Sequence, residues 1–398
     1  MGRTAKQFAV SLYEQLHLVS HPGHWSTLVQ QSKPFSSHSD RDHLQAALTW
    51  LCRAHDACGG QGVSAGYFLR RGWMPAYPET TGFIIPTFLA CRSLEPSLED
   101  RACRMGNWEI DVQLPSGAVR GGIGLNTYPI VFNTGQVILG WTSLFRHTND
   151  ERYLSAAMRA ADWLVDAQDP DGKWIRSTYL EAPRAYHSRV AWPLLEVFDL
   201  SGDERYRKSA LAFIEWLLPQ QLDNGFFPHM ALVPDEVPIT HTISYTLRGL
   251  LECARLLGPS GTHAKLAVQR SINEIMERHP TVGQTGYLAG ALDSGWQARA
   301  SHMCLTGNAQ LALVLLALSA DSEDSMARAA RTLINRLKTH HPMDRRHPGI
   351  RGGLPSSYPI RGAYVPHAIL NWGTKFLVDA LWQTSTLETR QAPSQRAC

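Results

Sequence analysis

Side chains able to transfer protons recur in this sequence just before, or at the start of, its most apolar segments. Five of them are the candidate catalytic residues, namely Glu79, His187, His241, Tyr245 and Asp293. Residues suited to holding a substrate stand near them, and these are Tyr77, Asn133, Gln136, Tyr186, Arg189, Trp296, His302, Asn308, Tyr364, Asn371 and Trp372. Because these residues all stand near the starts of apolar segments, we expect them to lie together in one concave functional site.

Abstraction of a proton beside a uronate carboxylate is one chemistry that this set allows, as in a lyase or a C5-epimerase. The reaction needs a base and a group that neutralises the carboxylate. His241, Tyr245 and Arg248 share one helix face at i, i+4 and i+7 spacing, which suggests a polar face toward a cavity. The candidate bases are Tyr245, His241 and Tyr364, and the candidate neutralisers are Asn133, Gln136, His187 and Arg189.

Glycoside hydrolysis is the second chemistry, and it requires two carboxyl groups that flank the scissile bond. Glu79, between Pro78 and an apolar segment, and Asp293, before Gly295 and Trp296, form the predicted pair. Each has a structural alternative, because an acid compensates a helix N-terminus and an aspartate stabilises a turn.

A metal site is the third chemistry, since Asp293, His302, Cys304 and His367 include zinc-ligand types. His302 and Cys304 are two residues apart and do not readily face the same way on a helix. We therefore expect neither a metal nor another cofactor.

A repeated phrase organises the chain that carries these residues. The letters ADWL at 161–164 precede Gln168 and Asp171-Gly172, and IEWL at 214–217 precedes Gln220 and Asn224-Gly225. Looser copies occur around Trp50 and Trp108, so that one unit is about 50 to 60 residues long, the length of a helical hairpin.

Two kinds of helix alternate between the turns. Residues 152–168 and 207–221 carry apolar side chains at i, i+3, i+4 and i+7, which predicts amphipathic outer helices. A second set is apolar on nearly all sides, which indicates buried inner helices; it comprises 83–89, 131–144, 190–197, 243–257, 311–318 and 369–381. Six such hairpins predict an all-α fold, a closed (α/α)6 toroid, with an open solenoid as the alternative.

Composition narrows the classes of partner. The 398 residues are 44% apolar, and 38 basic against 35 acidic residues leave a net charge of +3, which favours neither nucleic acid nor an anionic membrane. Without a signal peptide or a long apolar span, and with seven scattered cysteines, we expect a cytoplasmic protein. The expected domains are an N-terminal helical extension at 1–40, one toroid at 41–385 and a flexible tail at 386–398.

The repeat phrase is similar to the repeats of prenyltransferase and terpenoid-cyclase toroids. Longer strings resemble a group of bacterial proteins of that fold from exopolysaccharide biosynthesis clusters, over about residues 40 to 385. These strings are YPETTGFIIPT at 77–87, FNTGQ at 132–136, CLTGNAQLA at 304–312 and NWGTKF at 371–376. The sequence departs from terpenoid cyclases because it lacks their aspartate-rich motif.

The resemblance implies a toroid linked to polysaccharide production. The resulting hypothesis is an enzyme acting on an acidic polysaccharide or oligosaccharide by lyase, epimerase or hydrolase chemistry, in association with a polysaccharide assembly machinery. A non-catalytic glycan-binding or assembly factor is the alternative, and a prenyl or terpenoid enzyme is the third. Fold alone does not decide among them.

Overall fold

The computed structural model describes residues 24, 27, 38–321 and 324–391. The N-terminal extension predicted for 1–40 and the tail predicted for 386–398 lie mostly outside these residues and stay predictions. The described chain is dominated by α-helices, which confirms the predicted all-α class.

Outer and inner helices alternate along the described chain. The outer helices are α1 (Asp40–Asp56), α3 (Ser97–Val112), α5 (Glu151–Ala167), α7 (Glu204–Leu217), α9 (Thr262–Arg278) and α12 (Ser325–His340). The inner helices are α2 (Pro78–Cys91), α4 (Val131–Thr148), α6 (Ser188–Ser201), α8 (Thr240–Leu257), α11 (Leu305–Leu318) and α13 (Asn371–Gln391), and the short α10 (Thr281–Thr285) lies between α9 and α11. Each inner helix contacts the next, and α13 contacts α2, which closes the ring.

Burial separates the two sets as their sequences predict. In α11 every residue from position 305 to 316 is buried, as expected for a helix that is apolar on all sides. In α5 the buried positions form one stripe, which includes Tyr153, Ala157, Ala160 and Leu164, and the opposite face meets solvent.

Short antiparallel strands precede some inner helices. The strands are β1 (Gly66–Phe68), β2 (Gly72–Trp73), β3 (Met303–Cys304), β4 (Ser357–Tyr358) and β5 (Ala368–Leu370). They form the sheets β2-β1-β5 and β3-β4, and Gly66 of the first unit lies opposite Leu370 of the last. This pairing links the two ends of the repeat array.

A glutamine after an outer helix ties each of three repeat turns to the following unit. Its Nε2 donates to the carbonyl oxygen of the glycine four residues later. The same nitrogen also donates to a carbonyl oxygen in the next outer helix. The three sets are Gln113 with Gly117 and Ala156, Gln168 with Gly172 and Ser209, and Gln221 with Gly225 and Ala267. The alignment on Gln220 was wrong by one position, because Gln220 instead donates to the carbonyl oxygen of Trp216 near the end of α7.

Glycine is required at these turns by space as well as by conformation. Gly172 has φ +91°, and a Cβ there would lie 2.2 Å from the carbonyl oxygen of Ala212. Gly352, with φ +85°, would meet the oxygen of Ala46 at 2.4 Å. Because Gly352 belongs to the last unit and Ala46 to α1, the same packing closes the ring.

Two histidines complete the joint between the last and first units. His341 Nε2 is 2.8 Å from the carbonyl oxygen of Gly352, so it occupies the place of the glutamine in other units. His341 Nδ1 lies 2.8 Å from Nδ1 of His43 on α1, and both rings are buried. The predicted closed toroid is therefore confirmed over an open solenoid.

Candidate active site at the mouth of the ring

A cavity of about 430 Å³, the mouth cavity, opens where the inner helices α2, α4, α6, α8 and α13 begin. Eight of the predicted site residues line it, namely Tyr77, Glu79, Asn133, Tyr186, His241, Tyr245, Tyr364 and Trp372. Its volume falls within the range of about 300–1,000 Å³ that is usual for small-molecule sites. Half of the predicted set is thus brought together in one place.

Among the described residues that line this cavity, Glu79 is the only one with a carboxyl group. It stands in the first turn of α2, directly after Pro78, and only 9% of the residue is exposed. Burial raises the pKa of Glu79 to about 7, although a hydrogen bond from the Tyr77 hydroxyl and the charge of Arg189 both act to lower it. A carboxyl group with such a pKa can donate or accept a proton at neutral pH.

His241 and Tyr245 lie one turn apart on α8, with ring centroids 4.2 Å apart. The Gln310 amide nitrogen lies 2.5 Å from His241 Nδ1. Burial and the charge of Arg189 lower the pKa of His241 to about 3, and burial raises the pKa of Tyr245 far above its usual value. At neutral pH these groups are therefore a neutral imidazole and an intact phenol, suited to hydrogen bonding more than to proton abstraction.

Aromatic rings form much of the cavity wall. Trp372 Nε1 donates to the Tyr364 hydroxyl over 2.8 Å, and the Tyr77 ring lies edge-on to Trp372 with centroids 6.2 Å apart. On the other side Phe132 packs edge-on against Tyr186 at 5.3 Å. Such walls present flat apolar faces beside a few hydroxyl groups.

Asp293 does not join Glu79. It borders a different pocket, where its carboxylate accepts from the backbone nitrogens of Gly295 and Gln297 and pairs with Arg299 at 2.6 Å. These hydrogen bonds outweigh burial and lower the pKa of Asp293, which fits a turn aspartate. The predicted pair of flanking carboxylates is therefore not assembled, and the structural alternative describes Asp293.

Arg189 and Gln136 lie beneath the mouth cavity and do not line it. Arg189 Nε donates to Gln136 Oε1 over 2.9 Å, and the guanidinium lies 4.6 Å from the centre of the Tyr245 ring. Tyr245 therefore separates this arginine from the mouth. The prediction that both residues bind substrate from the mouth is not supported by their positions.

The remaining predicted residues support the scaffold around the site. Asn308 Nδ2 donates to the carbonyls of Leu288 and Cys304, and Asn371 Nδ2 donates to Thr80 Oγ1. Trp296 donates to the carbonyl of Asn224 and is 1% exposed. These amides and this indole stabilise loops and helix starts.

Two histidines of the predicted set also lie outside the mouth cavity. His187 is 1% exposed and packs edge-on against Trp174 and Tyr186, and burial lowers its pKa to about 3. His302 packs beside Gly290 and Gly362. Among the described residues no three His, Cys, Asp or Glu side chains gather as a metal-binding group.

Several lining residues were not predicted from the sequence. Phe132, Tyr179 and Thr242 all contribute to the cavity, and 49% of Tyr179 is exposed. Phe132 and Thr242 each adjoin a predicted residue, so their neighbours gave a usable signal. Tyr179 lies in the loop before α6, next to Leu180, whose backbone takes φ +59°, and no sequence pattern places that loop over the cavity.

No protein-family model and no curated protein matches this sequence. Solved structures do match. An unsaturated glucuronyl hydrolase from Streptococcus agalactiae aligns with a TM-score of 0.65 at 13% identity over 90% of this chain and 94% of that chain. One from Bacillus sp. GL1 aligns with a TM-score of 0.67 at 17% identity over 86% and 96%.

An alpha-amylase from Clostridium perfringens also aligns, with a TM-score of 0.63 at 11% identity over 88% of this chain and 99% of that chain. At these identities the comparisons establish the α/α-toroid fold, and the differing activities show that the fold leaves the reaction open. Within the described residues, no helix combines the length and apolar character needed to cross a membrane.

Proposed function

We propose that this protein is a carbohydrate-active enzyme that hydrolyses an acidic oligosaccharide, with Glu79 as the proton-transferring group. The observation that carries the proposal is the placement of Glu79, with a pKa of about 7, in the wall of an aromatic cavity. Protonated Glu79 donates to the leaving oxygen of the sugar. The bond from the anomeric carbon to that oxygen breaks, and the carboxylate that results then takes a proton from a water molecule that adds to the anomeric carbon from the same face. In this scheme Glu79 serves both steps in place of the flanking pair of carboxyl groups that the sequence predicted.

The aromatic walls and the helix starts support an acidic sugar as substrate. Flat rings such as Tyr77 and Trp372 provide apolar faces for the C–H side of a sugar ring. The inner helices begin at the cavity, and a helix N-terminus favours negative charge. The first turns of α2 and α4 have no side-chain cap, which leaves backbone N–H groups there for a ligand or water. The structural neighbours named as glucuronyl hydrolases are consistent with this class of substrate.

Lyase or epimerase chemistry receives less support from the same geometry. The bases predicted for either reaction include His241 and Tyr245, and the pKa values of both are displaced away from neutrality. Glu79 is then the group in the cavity whose pKa suits proton transfer, and its protonated form serves the acid step of hydrolysis. A role in exopolysaccharide production, a cytoplasmic location and an association with assembly machinery stay predictions from the sequence.

Prenyl or terpenoid chemistry is the second candidate because the cavity wall is largely aromatic. Such rings also stabilise cationic intermediates, and Glu79 would then protonate an alkene. Incubation with isoprenoid diphosphates and analysis of the extracted products distinguishes this candidate from the first. A cyclic or transferred isoprenoid product that depends on Glu79 would replace the glycan proposal.

The deciding experiment incubates purified protein with saturated and unsaturated uronyl oligosaccharides. Reducing ends and the ultraviolet absorbance of unsaturated uronates are followed together, with Glu79→Gln as the comparison. New reducing ends from the wild type alone support hydrolysis by Glu79. Absorbance that rises on a saturated substrate in both proteins indicates elimination by another base. Binding without turnover across the panel indicates the non-catalytic glycan-binding alternative.

A further inference from the structure

The lumen of the ring contains a second cavity, the far cavity, at the end opposite the mouth. It has a volume of about 240 Å³ and lies among the later turns of the inner helices. Six charged side chains line it, which are Arg146, Arg189, Arg248, Lys375, Glu196 and Asp379. Cations outnumber carboxylates in this lining by four to two, whereas the mouth cavity contains a carboxyl group.

The carboxylates of the far cavity are already paired. Arg146 lies 2.7 Å from Glu196, and Lys375 Nζ lies 2.5 Å from Asp379. Arg248 is 2.6 Å from Glu252, which stands one turn further along α8. Arg255, on the same helix, bonds both Glu252 and Glu196. Arg146 also pairs with Asp199 at 2.8 Å, so that five cations share four carboxylates. Among the described residues of this network, Arg189 is the cation that has no ion pair.

Arg189 is buried without a carboxylate partner. Only 2% of the residue is exposed, and its Nε donates a hydrogen bond to Gln136. Its terminal nitrogens make no hydrogen bond or ion pair with any residue in the described part of the chain. The rings of Tyr245 and Trp192 cover the guanidinium at 4.6 and 5.3 Å. A buried charge is costly unless it is paired, so this arrangement requires a counter-ion or water from the cavity.

We propose that the far cavity is a binding site for a small oxyanion of the phosphate or carboxylate type, held chiefly by Arg189. A guanidinium presents paired N–H donors that match two oxygens of such an anion. Arg248 and Lys375 line the same space and provide further N–H donors, while each also pairs with a carboxylate. Thr142 and Ser143, which also line the cavity, place hydroxyl-bearing side chains on its α4 wall.

The two cavities share a thin floor, so an anion in one affects residues of the other. Tyr245 stacks on Arg189 and lines the mouth cavity, while Gln310 lines the far cavity and bonds His241 in the mouth. The charge of Arg189 also acts on Glu79. An anion bound to Arg189 offsets that charge, and the pKa of Glu79 then rises.

Calorimetric titration of the full-length protein with inorganic phosphate, in a buffer free of other oxyanions, tests the site. We expect saturable binding at one site, and a second titration with acetate shows whether a carboxylate also binds. Ser143 is half-buried on the cavity wall, so that it accepts a polar replacement. Ser143→Asp adds a negative charge and should weaken binding about tenfold or more, whereas Ser143→Asn, of equal size, should bind like the wild type.

Arg189→Gln should abolish binding, with circular dichroism to show that the variant is folded. The proposal is overturned if the wild type binds neither phosphate nor acetate, or if Ser143→Asp and Ser143→Asn bind equally well. The titration contains no sugar, so its result stands apart from the test of hydrolysis by Glu79.

Discussion

The Tyr77 hydroxyl donates a hydrogen bond to Oε2 of Glu79, two residues further along the chain at the start of α2. This bond favours the charged form of the carboxyl group and so limits the rise in its pKa that burial causes. Tyr77 is therefore a positioning residue that sets the pH range over which Glu79 transfers a proton.

Replacement of Tyr77 by Phe should raise the pKa of Glu79 above about 7. In a plot of kcat/KM against pH, the limb that reflects the titration of Glu79 should then shift to higher pH by about one unit. Tyr128→Phe is the matched control, because Tyr128 lines the same cavity while the hydrogen bond to Glu79 comes from Tyr77. A profile that moves equally in both variants would show that general polarity of the cavity sets the pKa, and not this bond.

Replacement of Glu79 by Gln should reduce turnover of a uronyl oligosaccharide by about 10²- to 10⁴-fold, the usual contribution of general acid–base catalysis. The control is Glu109→Gln. Glu109 is fully buried on the outer helix α3, where burial raises the pKa of its carboxyl group well above the ordinary value, and it lines neither cavity. Measured kcat should remain near the wild-type value in that variant, and loss of activity in both would point to a scaffold effect.

The titration of Glu79 should also appear in the stability of the protein. Its folded-state pKa of about 7 exceeds the ordinary value of 4.5, so the folded protein binds more protons than the unfolded chain between these values. Stability therefore falls as the pH rises through this interval, by about 3 kcal/mol when the shift is converted to free energy.

The Glu79→Gln variant carries no titrating group there and should lack this loss. Urea unfolding of both proteins between about pH 5 and pH 8 provides the comparison. We expect the variant to become the more stable protein as the pH increases. A constant difference across that range would contradict a titration of Glu79 within it.

The repeat turns offer a test that is independent of function. Gln221→Ala removes bonds to the carbonyls of Gly225 and Ala267 and should cost about 1–3 kcal/mol. Gln220→Ala, its neighbour, removes one bond to Trp216 and should cost less. The free energy of unfolding of the two variants should differ in that order, and equal values would remove the proposed role of the turn glutamine.

The helices and the closed ring were predictable because their signals are periodic. The all-round apolar character of α11 and the stripe of α5 both follow from where side chains fall on a helix. The strands were not predicted, since two or three residues such as Met303 and Cys304 are too few to show an alternation. Pairing with a distant segment, and not local pattern, forms them.

The sequence shows which residues stand at the start of an inner helix, but it does not show whether their side chains turn toward the mouth cavity or away from it. The candidate site was therefore predictable only in part. Glu79, His241 and Tyr245 start inner helices and reach the mouth cavity as expected. Arg189 also starts an inner helix, yet its side chain points past Tyr245 into the far cavity. Asp293 occurs in a similar sequence context but closes a turn elsewhere, because its hydrogen bonds are local.

Gly352 packs against the carbonyl oxygen of Ala46 in the same way as Gly172 packs against that of Ala212. The contact between the last and first units is therefore equivalent to a contact between consecutive units. Every unit of the described ring then packs against a neighbour on both sides. The arrangement of the units in space therefore does not depend on which unit comes first in the chain. A circular permutant that joins the old ends by a linker and opens the chain at another outer turn should keep the same ring. Retention of the fold in such a permutant would show that the closed packing of the units, and not their covalent order, determines the ring.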